Sequence, residues 1–388
     1  MRSDPSPAAS AASPWLIGAT ALLALAVAMG IGRFAFTPLL PMMLHDGVIT
    51  LSEGGWLATA NYFGYFAGAA SSMLIRVRPG RMVRFGLVAT VLLTLGMGVV
   101  HTPLAWAVLR GLAGVASAWV LVFASGWCLM RLSELGRPEL AAIMFCGPGA
   151  GIVLTGLAAS VMVQAGWQAA SGWLCFAAIA LLIVALIWPQ FRSSRAPATA
   201  TGSGAGVLSA RAWLLAWVYG LAGFGYIITA TFLPVIARHA LPGSPWPDLF
   251  WPMFGAGIVC GAALATRIPT RHDPVVMLAI AYVLQAVAIL AAIVSPSVPG
   301  FAFSSLLLGM PFTVITLFAM REAHTLAGPG APRLMGLMTA TYGLGQIVGP
   351  PLATELVGRT GSFTPSLLVA TAALLAGAAL FMRMRRRD

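Results

Sequence analysis

The sequence predicts an all-α membrane protein: twelve transmembrane helices arranged as two parallel six-helix repeats. Three observations carry that prediction. Apolar residues make up 59% of the 388-residue chain and charged residues only 8%, with a mean hydropathy of +0.91. That leaves too few charges to solvate the surface of a soluble domain. Apolar runs recur at the length of ~20 residues that a bilayer core demands. Patterns of small residues in the first half also return in the second at one constant offset.

The elements follow in order. Residues 1–14, MRSDPSPAASAASP, are short, polar and expected to be disordered on the cytoplasmic side. The apolar run after them is too long for a signal-peptide core and reads as a retained first helix. The first six spans cover 15–41, 54–75, 83–100, 103–130, 140–163 and 166–188, within an N-terminal half of 15–190. Residues 191–210, rich in Ser, Ala, Thr, Gly and Pro, read as a flexible cytoplasmic linker. Helices 7 to 12 cover 213–236, 249–266, 274–294, 300–320, 334–357 and 363–382, within a C-terminal half of 211–383. A basic cytoplasmic tail, 384–388, closes the chain. The four cysteines, Cys128, Cys146, Cys175 and Cys260, each fall inside a predicted apolar helix without ligand-like spacing, and read as small buried hydrophobes.

Arginine placement tests the count. All 22 basic residues are Arg. With the N-terminus in the cytoplasm, 18 of them fall in cytoplasmic segments, among them Arg76, Arg78, Arg81 and Arg84, then Arg321 and Arg333, then Arg383 to Arg387. The outer loops hold only Arg238 and Arg359, and two more, Arg33 and Arg110, lie within spans. That asymmetry is what the positive-inside rule predicts for an inner-membrane protein with both termini cytoplasmic. The charge of +12 is therefore topogenic, and no nucleic-acid partner is expected. The basic tail can touch anionic lipid.

The internal repeat is specific. Gly30, Gly32, Leu40 and Pro41 of helix 1 return in helix 7 as Gly223, Gly225, Leu233 and Pro234, each 193 residues on. Gly64, Gly68, Ala69 and Ala70 of helix 2 return at the same shift of 193 as Gly257, Gly261, Ala262 and Ala263. Small residues four apart let helices pack closely. The repeat sets Arg33 against Tyr226, so the halves differ where polarity matters.

The segments GIGRFAFTPLLPMM and LSEGGWLATANYFGY resemble the YbfB/YjiJ-type bacterial transporters of the major facilitator superfamily. Gly32, Pro38 and Pro41 match that superfamily's helix-1 pattern, Arg110, Gly114 and Ala118 its helix-4 Arg-x-x-x-Gly pattern, and Gly343, Gly345, Gly349 and Pro350 its helix-11 kink. The resemblance implies transport of a small molecule, with helices 1 and 4 lining the cavity. Two features depart from the pattern. The loop from Arg76 to Arg84 has no Asp, and Gly147-Pro148 lies near the cytoplasmic start of helix 5, unlike its place in drug/proton antiporters.

A charge inside a bilayer is costly and is usually functional or paired. Arg33 lies ~12 Å below the outer end of helix 1 and Arg110 ~10 Å below that of helix 4, at 1.5 Å per residue. No Asp or Glu lies deep in a span; Glu53, Asp248 and Glu355 sit at outer helix ends. Two guanidiniums without carboxylates suit an anionic group. Arg110 has a second reading, as a structural donor to helix-1 carbonyls. Asn61, Tyr62, Tyr65, Tyr226, Tyr342 and Gln346 complete the candidate substrate site. Gly30, Gly32, Pro38, Pro41, Gly114, Gly349 and Pro350 are candidate hinge or packing positions, and Gly32, Pro38 and Pro41 are expected to let helix 1 bend. Trp15, Trp56, Trp167 and Trp251 read as interfacial anchors, and Trp119 and Tyr226 as cavity walls.

The leading reading is a monomeric secondary transporter moving a small organic solute by alternating access, an anionic one being the class that Arg33 suits, without cofactor or metal; a coupling proton or counter-ion would be its further partner. The alternative is a drug or metabolite exporter driven by proton antiport, which ordinarily wants a cavity carboxylate. Readings from a different class are a receptor on the same fold or a membrane enzyme. An enzyme would need a reactive constellation at one surface, and the five histidines are dispersed over loops on both sides.

Overall fold

A computed structural model describes residues 13–191, 208–265, 267–269 and 272–385. The expectations for the N-terminal segment 1–14, the linker 191–210 and the tail 384–388 lie almost wholly outside these residues. The described residues form helices and no strand. Twelve elements run along the chain: α1 (Pro14–His45), α2 (Leu51–Ser72), α3 (Pro79–Val99), α4 (Pro103–Glu134), α5 (Pro138–Gln164), α6 (Ala169–Phe191), α7 (Ala210–Ala240), α8 (Pro247–Ala265), α9 (Pro274–Val294), α10 (Val298–Ala327), α11 (Ala331–Thr360) and α12 (Thr364–Met384).

Ten of these are long and apolar enough to cross a membrane; α2 and α11 fall short on composition. Their packing explains why. Gly55 of α2 lies against Thr354 and Pro350 of α11, Thr59 donates to the Ile347 carbonyl, and Gly343 lies against Phe66. A helix that faces another helix rather than lipid need not be apolar all round. Elsewhere the outer surface is studded with Leu92, Leu104, Val108, Leu182, Leu186 and Val294, all strongly exposed, as a lipid solvent requires.

The 193-residue repeat is visible in the contacts. Gly64 of α2 sits so close to Gly111 of α4 that an added Cβ would lie 1.9 Å from its carbonyl oxygen. The repeat mate of Gly64, Gly257 of α8, lies likewise close against the Leu306 carbonyl of α10. Gly30 packs on Gly151 of α5, and its repeat mate Gly223 packs on Tyr342 of α11. The same pair of contacts is thus made once in each half. The halves also meet across α5 and α8, where Gly149 and Gly255 each approach the other's carbonyl. Thr37 of α1 donates to the Ala230 carbonyl of α7 at 3.2 Å, and these two residues are themselves 193 apart. Repeat mates can touch only beside the pseudo-twofold axis, so α1 and α7 flank it. They are also the two most buried spans.

α1 is not a continuous α-helix. Pro14–Leu25 is α-helical, Ala26–Ile31 is π-helical, residues 32–35 form a turn, and Phe36–His45 resumes. The irregular stretch lies before Pro38 and Pro41, so the bend expected around Gly32, Pro38 and Pro41 falls at its glycine end. The two prolines sit inside the second helical piece. π-bulges are a usual cause of kinks in long helices.

Trp15, Trp56 and Trp167 are exposed as interfacial anchors would be. Trp251 is not: it is fully buried, edge-on to Phe34 of α1 and stacked on Phe254. Its place near the start of α8 resembles an anchor in sequence, but the crossing of α8 with α1 encloses it. Trp119 is half-buried; its indole donates to Ser71 at 2.9 Å and it packs on Phe85, inside the N-terminal half.

Candidate functional site

The break in α1 creates a problem that Arg110 answers. In a regular helix the Arg33 carbonyl would accept from the Thr37 N–H, but that N–H bonds to the Phe34 carbonyl instead. An unpaired carbonyl inside a membrane costs free energy. Arg110 of α4 supplies the donors: Nη2 to the Arg33 carbonyl at 2.9 Å and Nη1 to the Gly32 carbonyl at 3.2 Å. Its guanidinium also lies 4.9 Å from the Phe36 ring centre. Of the two readings of Arg110, the geometry matches the structural donor. Asn61 belongs to the same layer, donating Nδ2 to the Arg110 carbonyl at 2.9 Å, while Gly114 admits the Asn61 backbone. Through Nδ2, Asn61 thus ties α2 to α4 within the N-terminal half.

Arg33 projects the other way, between the halves. Its guanidinium carbon lies 3.9 Å from the centre of the Tyr65 ring, 5.3 Å from Tyr62 and 5.2 Å from Phe34. Faces of aromatic rings attract a cation, more strongly where water is excluded. Arg33 Nη2 donates to Gln346 Oε1 at 2.7 Å, and Gln346 Nε2 donates to the Tyr226 hydroxyl oxygen at 2.5 Å. Tyr226 stacks on Tyr342, which stacks on Tyr219. Phe312 meets Tyr226 edge-on, and the Tyr62 hydroxyl is 2.8 Å from Thr231 Oγ1. The site thus joins Arg33, Tyr62 and Tyr65 of one half to Tyr226, Tyr342 and Gln346 of the other.

Among the described residues no carboxylate lies within ion-pair distance of Arg33 or Arg110. The carboxylates at the helix ends are engaged locally. Glu53 closes a capping box with Thr50, Asp248 pairs with Arg238 at 2.6 Å, and Glu355 with Arg359 at 2.7 Å. One carboxylate not anticipated as buried is Glu322, near the end of α10 and 3.7 Å from Arg211. Among the described residues no cluster of His, Cys, Asp and Glu could hold a metal ion.

Exposure runs in one direction through the site. Arg33, Tyr62, Tyr226 and Gln346 are buried, whereas Tyr65, Phe312, Thr316 and Tyr342 are half-buried. Along α2, Tyr65 lies nearer than Tyr62 to the loop holding Arg76 and Arg78; along α11, Tyr342 lies nearer than Gln346 to Arg333. Burial within the site therefore decreases from the Asp46 end toward the arginine-rich end.

Thr37, Thr231, Phe34 and Phe312 were not singled out from sequence. Thr37 alone had a signal available, since the repeat puts it opposite Ala230. Gly30, Gly349 and Pro350 are packing positions: Gly30 against Gly151, Gly349 against Ile227, and the Pro350 carbonyl beside Gly55.

Comparison with known proteins gives four matches. A family model described as "Uncharacterised MFS-type transporter YbfB" matches residues 25–382. The chain is 28% identical to a chloramphenicol resistance protein of Streptomyces lividans over 390 residues, covering 92% of this chain and 94% of that protein. It is 27% identical to the MFS-type transporter YceJ of Bacillus subtilis (strain 168) over 180 residues, 43% of each. Among solved structures, the D323A mutant of the nucleoside transporter NupG superposes with a TM-score of 0.73 at 13% identity, covering 95% of this chain and 100% of that one.

Proposed function

From the premise that this chain belongs to the YbfB-type family of major facilitator transporters, we propose that it is a secondary active carrier of a small organic solute with an anionic group, working by alternating access. The observation behind this reading is Arg33. It is a buried cation that no carboxylate among the described residues neutralises, set at the junction of the two halves and ringed by Tyr65, Tyr62 and Phe34. Planar guanidinium donors suit a carboxylate or phosphate, and the aromatic faces suit a flat apolar body beside it. Residues 15–190 and 211–383 would move as two units about the α1–α7 axis. The arginine asymmetry supports both termini on the cytoplasmic side of a bacterial inner membrane, and the mode of action is transport by a monomer rather than catalysis.

A second reading has its own support. The relative aligned over 92% of the chain is a chloramphenicol resistance protein, which favours export as the direction of transport.

The test is a thermal-stabilisation screen of the purified protein with organic acids, sugars and cationic drugs, repeated on Arg33→Lys and Arg33→Gln. Organic acids are expected to stabilise the wild type, Arg33→Lys less, and Arg33→Gln least, because Lys keeps the charge and loses the fork. Stabilisation by cations alone, or equal stabilisation of Arg33→Gln, would sink the anionic-solute reading and leave the family intact.

A further inference from the structure

The Arg33 fork is only half used. Nε–H and Nη2–H point along the same edge of a guanidinium, the edge that grips both oxygens of a carboxylate. In this protein Nη2 donates to Gln346 Oε1, while Nε is buried without a hydrogen-bond partner. A buried donor left unmatched is costly, and more so on a charged group. Here the single amide oxygen serves one of the two donors, whereas the two oxygens of a carboxylate match both. Gln346 is itself buried, 1% exposed, and is held from behind by its Nε2 bond to Tyr226. It reaches Arg33 from the opposite half of the protein, 313 residues away in sequence.

We propose that the Gln346 amide is an internal stand-in for the substrate's carboxylate. In the empty carrier it occupies one prong of Arg33 and ties α1 to α11. An arriving carboxylate takes both prongs and displaces it, so solute binding releases a bond between the halves. The inference rests on the anionic-solute reading and assigns Gln346 as a positioning residue, a competitor for the site rather than a ligand of the solute. The same tie satisfies Arg33 Nη2 in the carrier without solute and leaves Nε to be matched by the carboxylate.

The experiment uses benzoate as the carboxylate probe, with full-length protein in lipid nanodiscs. Gln346→Met keeps the side-chain volume and removes the acceptor; Gln346→Glu fills both prongs permanently. If the stand-in is bound nine-tenths of the time, freeing the fork raises apparent benzoate affinity about tenfold, since only the unoccupied fraction binds. Gln346→Glu is expected to weaken benzoate binding at least as much. A group with a merely structural role would weaken binding in both variants. That result, with wild-type binding intact, overturns the stand-in and leaves the anionic-solute reading standing. Benzoate failing to bind wild type and Gln346→Met alike overturns both.

A second measurement guards against misfolding. Spin labels at Ser52 and Gly358, both exposed at the Asp46 end of α2 and α11, report the separation of the halves in a chain whose four cysteines are replaced by Ala. Gln346→Met should populate longer distances than wild type and Gln346→Glu should narrow the distribution. Identical distributions in all three would overturn the tie.

Discussion

Replacing Arg110 by Met removes two hydrogen bonds from the broken stretch of α1 and fills much of the space left. In water-soluble proteins a hydrogen bond to a charged group contributes about 1.5–3 kcal/mol. The pair at 2.9 and 3.2 Å would thus start near the lower end, at about 3 kcal/mol together. Two effects reduce that figure. Burying a guanidinium carries a desolvation cost of several kcal/mol, which Met avoids. Polar groups in a membrane-unfolded state also find other partners, so interhelical hydrogen bonds there average about 0.6 kcal/mol. The expected loss of global stability is therefore about 1–2 kcal/mol.

The local consequence is larger, because the Gly32 and Arg33 carbonyls lose their partners in a segment with irregular hydrogen bonding. Unfolding of Arg110→Met in mixed micelles gives the global term, and hydrogen exchange across residues 26–37 gives the local one. Exchange there should rise at least tenfold over the rest of α1, since ~1.4 kcal/mol of local opening is tenfold in population. Arg110→Lys offers a single point of donors and should fall between. Unchanged exchange in Arg110→Met would refute the claim that Arg110 holds the break in α1. Weakened solute binding without changed exchange would return Arg110 to the substrate.

The remaining predictions concern packing and orientation. Gly64→Ala and Gly261→Ala should each destabilise by about 1–3 kcal/mol through overpacking. Their Cβ atoms would both lie 1.9 Å from a facing carbonyl, whereas Gly126→Ala, inside α4, meets nothing within 4 Å and should not destabilise in the same unfolding assay. Tyr62→Phe with Thr231→Val should show a coupling of about 0.6 kcal/mol in a double-mutant cycle; zero coupling would mean the 2.8 Å contact is not a hydrogen bond between the halves. Reporter fusions after Gly80, after Ser203 and at the C-terminus should read cytoplasmic, and those near Asp46 and Ser244 external. A C-terminus found outside would overturn the orientation.

The fold was legible because its signals are local or periodic. Hydropathy marks the spans that face lipid, and the 193-residue offset marks the repeat, since Gly30, Gly64, Gly68, Gly223, Gly257 and Gly261 each answer a close backbone approach within their own half. Even α2 and α11, too polar to be taken as spans by composition alone, declare themselves through Gly64, Gly68 and the glycines flanking Gln346. The site was legible only as membership. Arg33, Tyr62, Tyr65, Tyr226, Tyr342 and Gln346 stand out in the sequence as polar or aromatic groups where lipid would not tolerate them, and they do converge. Their connections were not legible. Gln346 reaches Arg33 over 313 residues, and Trp251 is buried by a helix crossing that no local pattern encodes. Arg110 and Asn61 have the same polar character as the site residues, yet their hydrogen bonds go to backbone on neighbouring helices. Composition cannot distinguish a side chain that serves a broken helix from one that awaits a ligand.

The asymmetry at the axis follows from that distinction. Arg33 and Tyr226 are repeat mates, 193 residues apart, and Gln346 hydrogen-bonds to both. A strictly symmetric protein would place two guanidiniums here, which would repel across a few ångströms of low dielectric. Replacing one by Tyr leaves a single cation and gives the other half neutral hydroxyl and amide groups. The two halves also hold their members differently. Arg33 is fixed to its half through the carbonyls that Arg110 grips, whereas Gln346 and Tyr226 engage it only across the junction. When the halves separate, the bonds at the junction are the ones that break. Under the proposed mechanism an anionic solute therefore stays anchored to the N-terminal half while the C-terminal half exchanges its hydrogen bonds. Substitutions at Arg33 should then change affinity, and those at Gln346 should change affinity and the distance between the halves together.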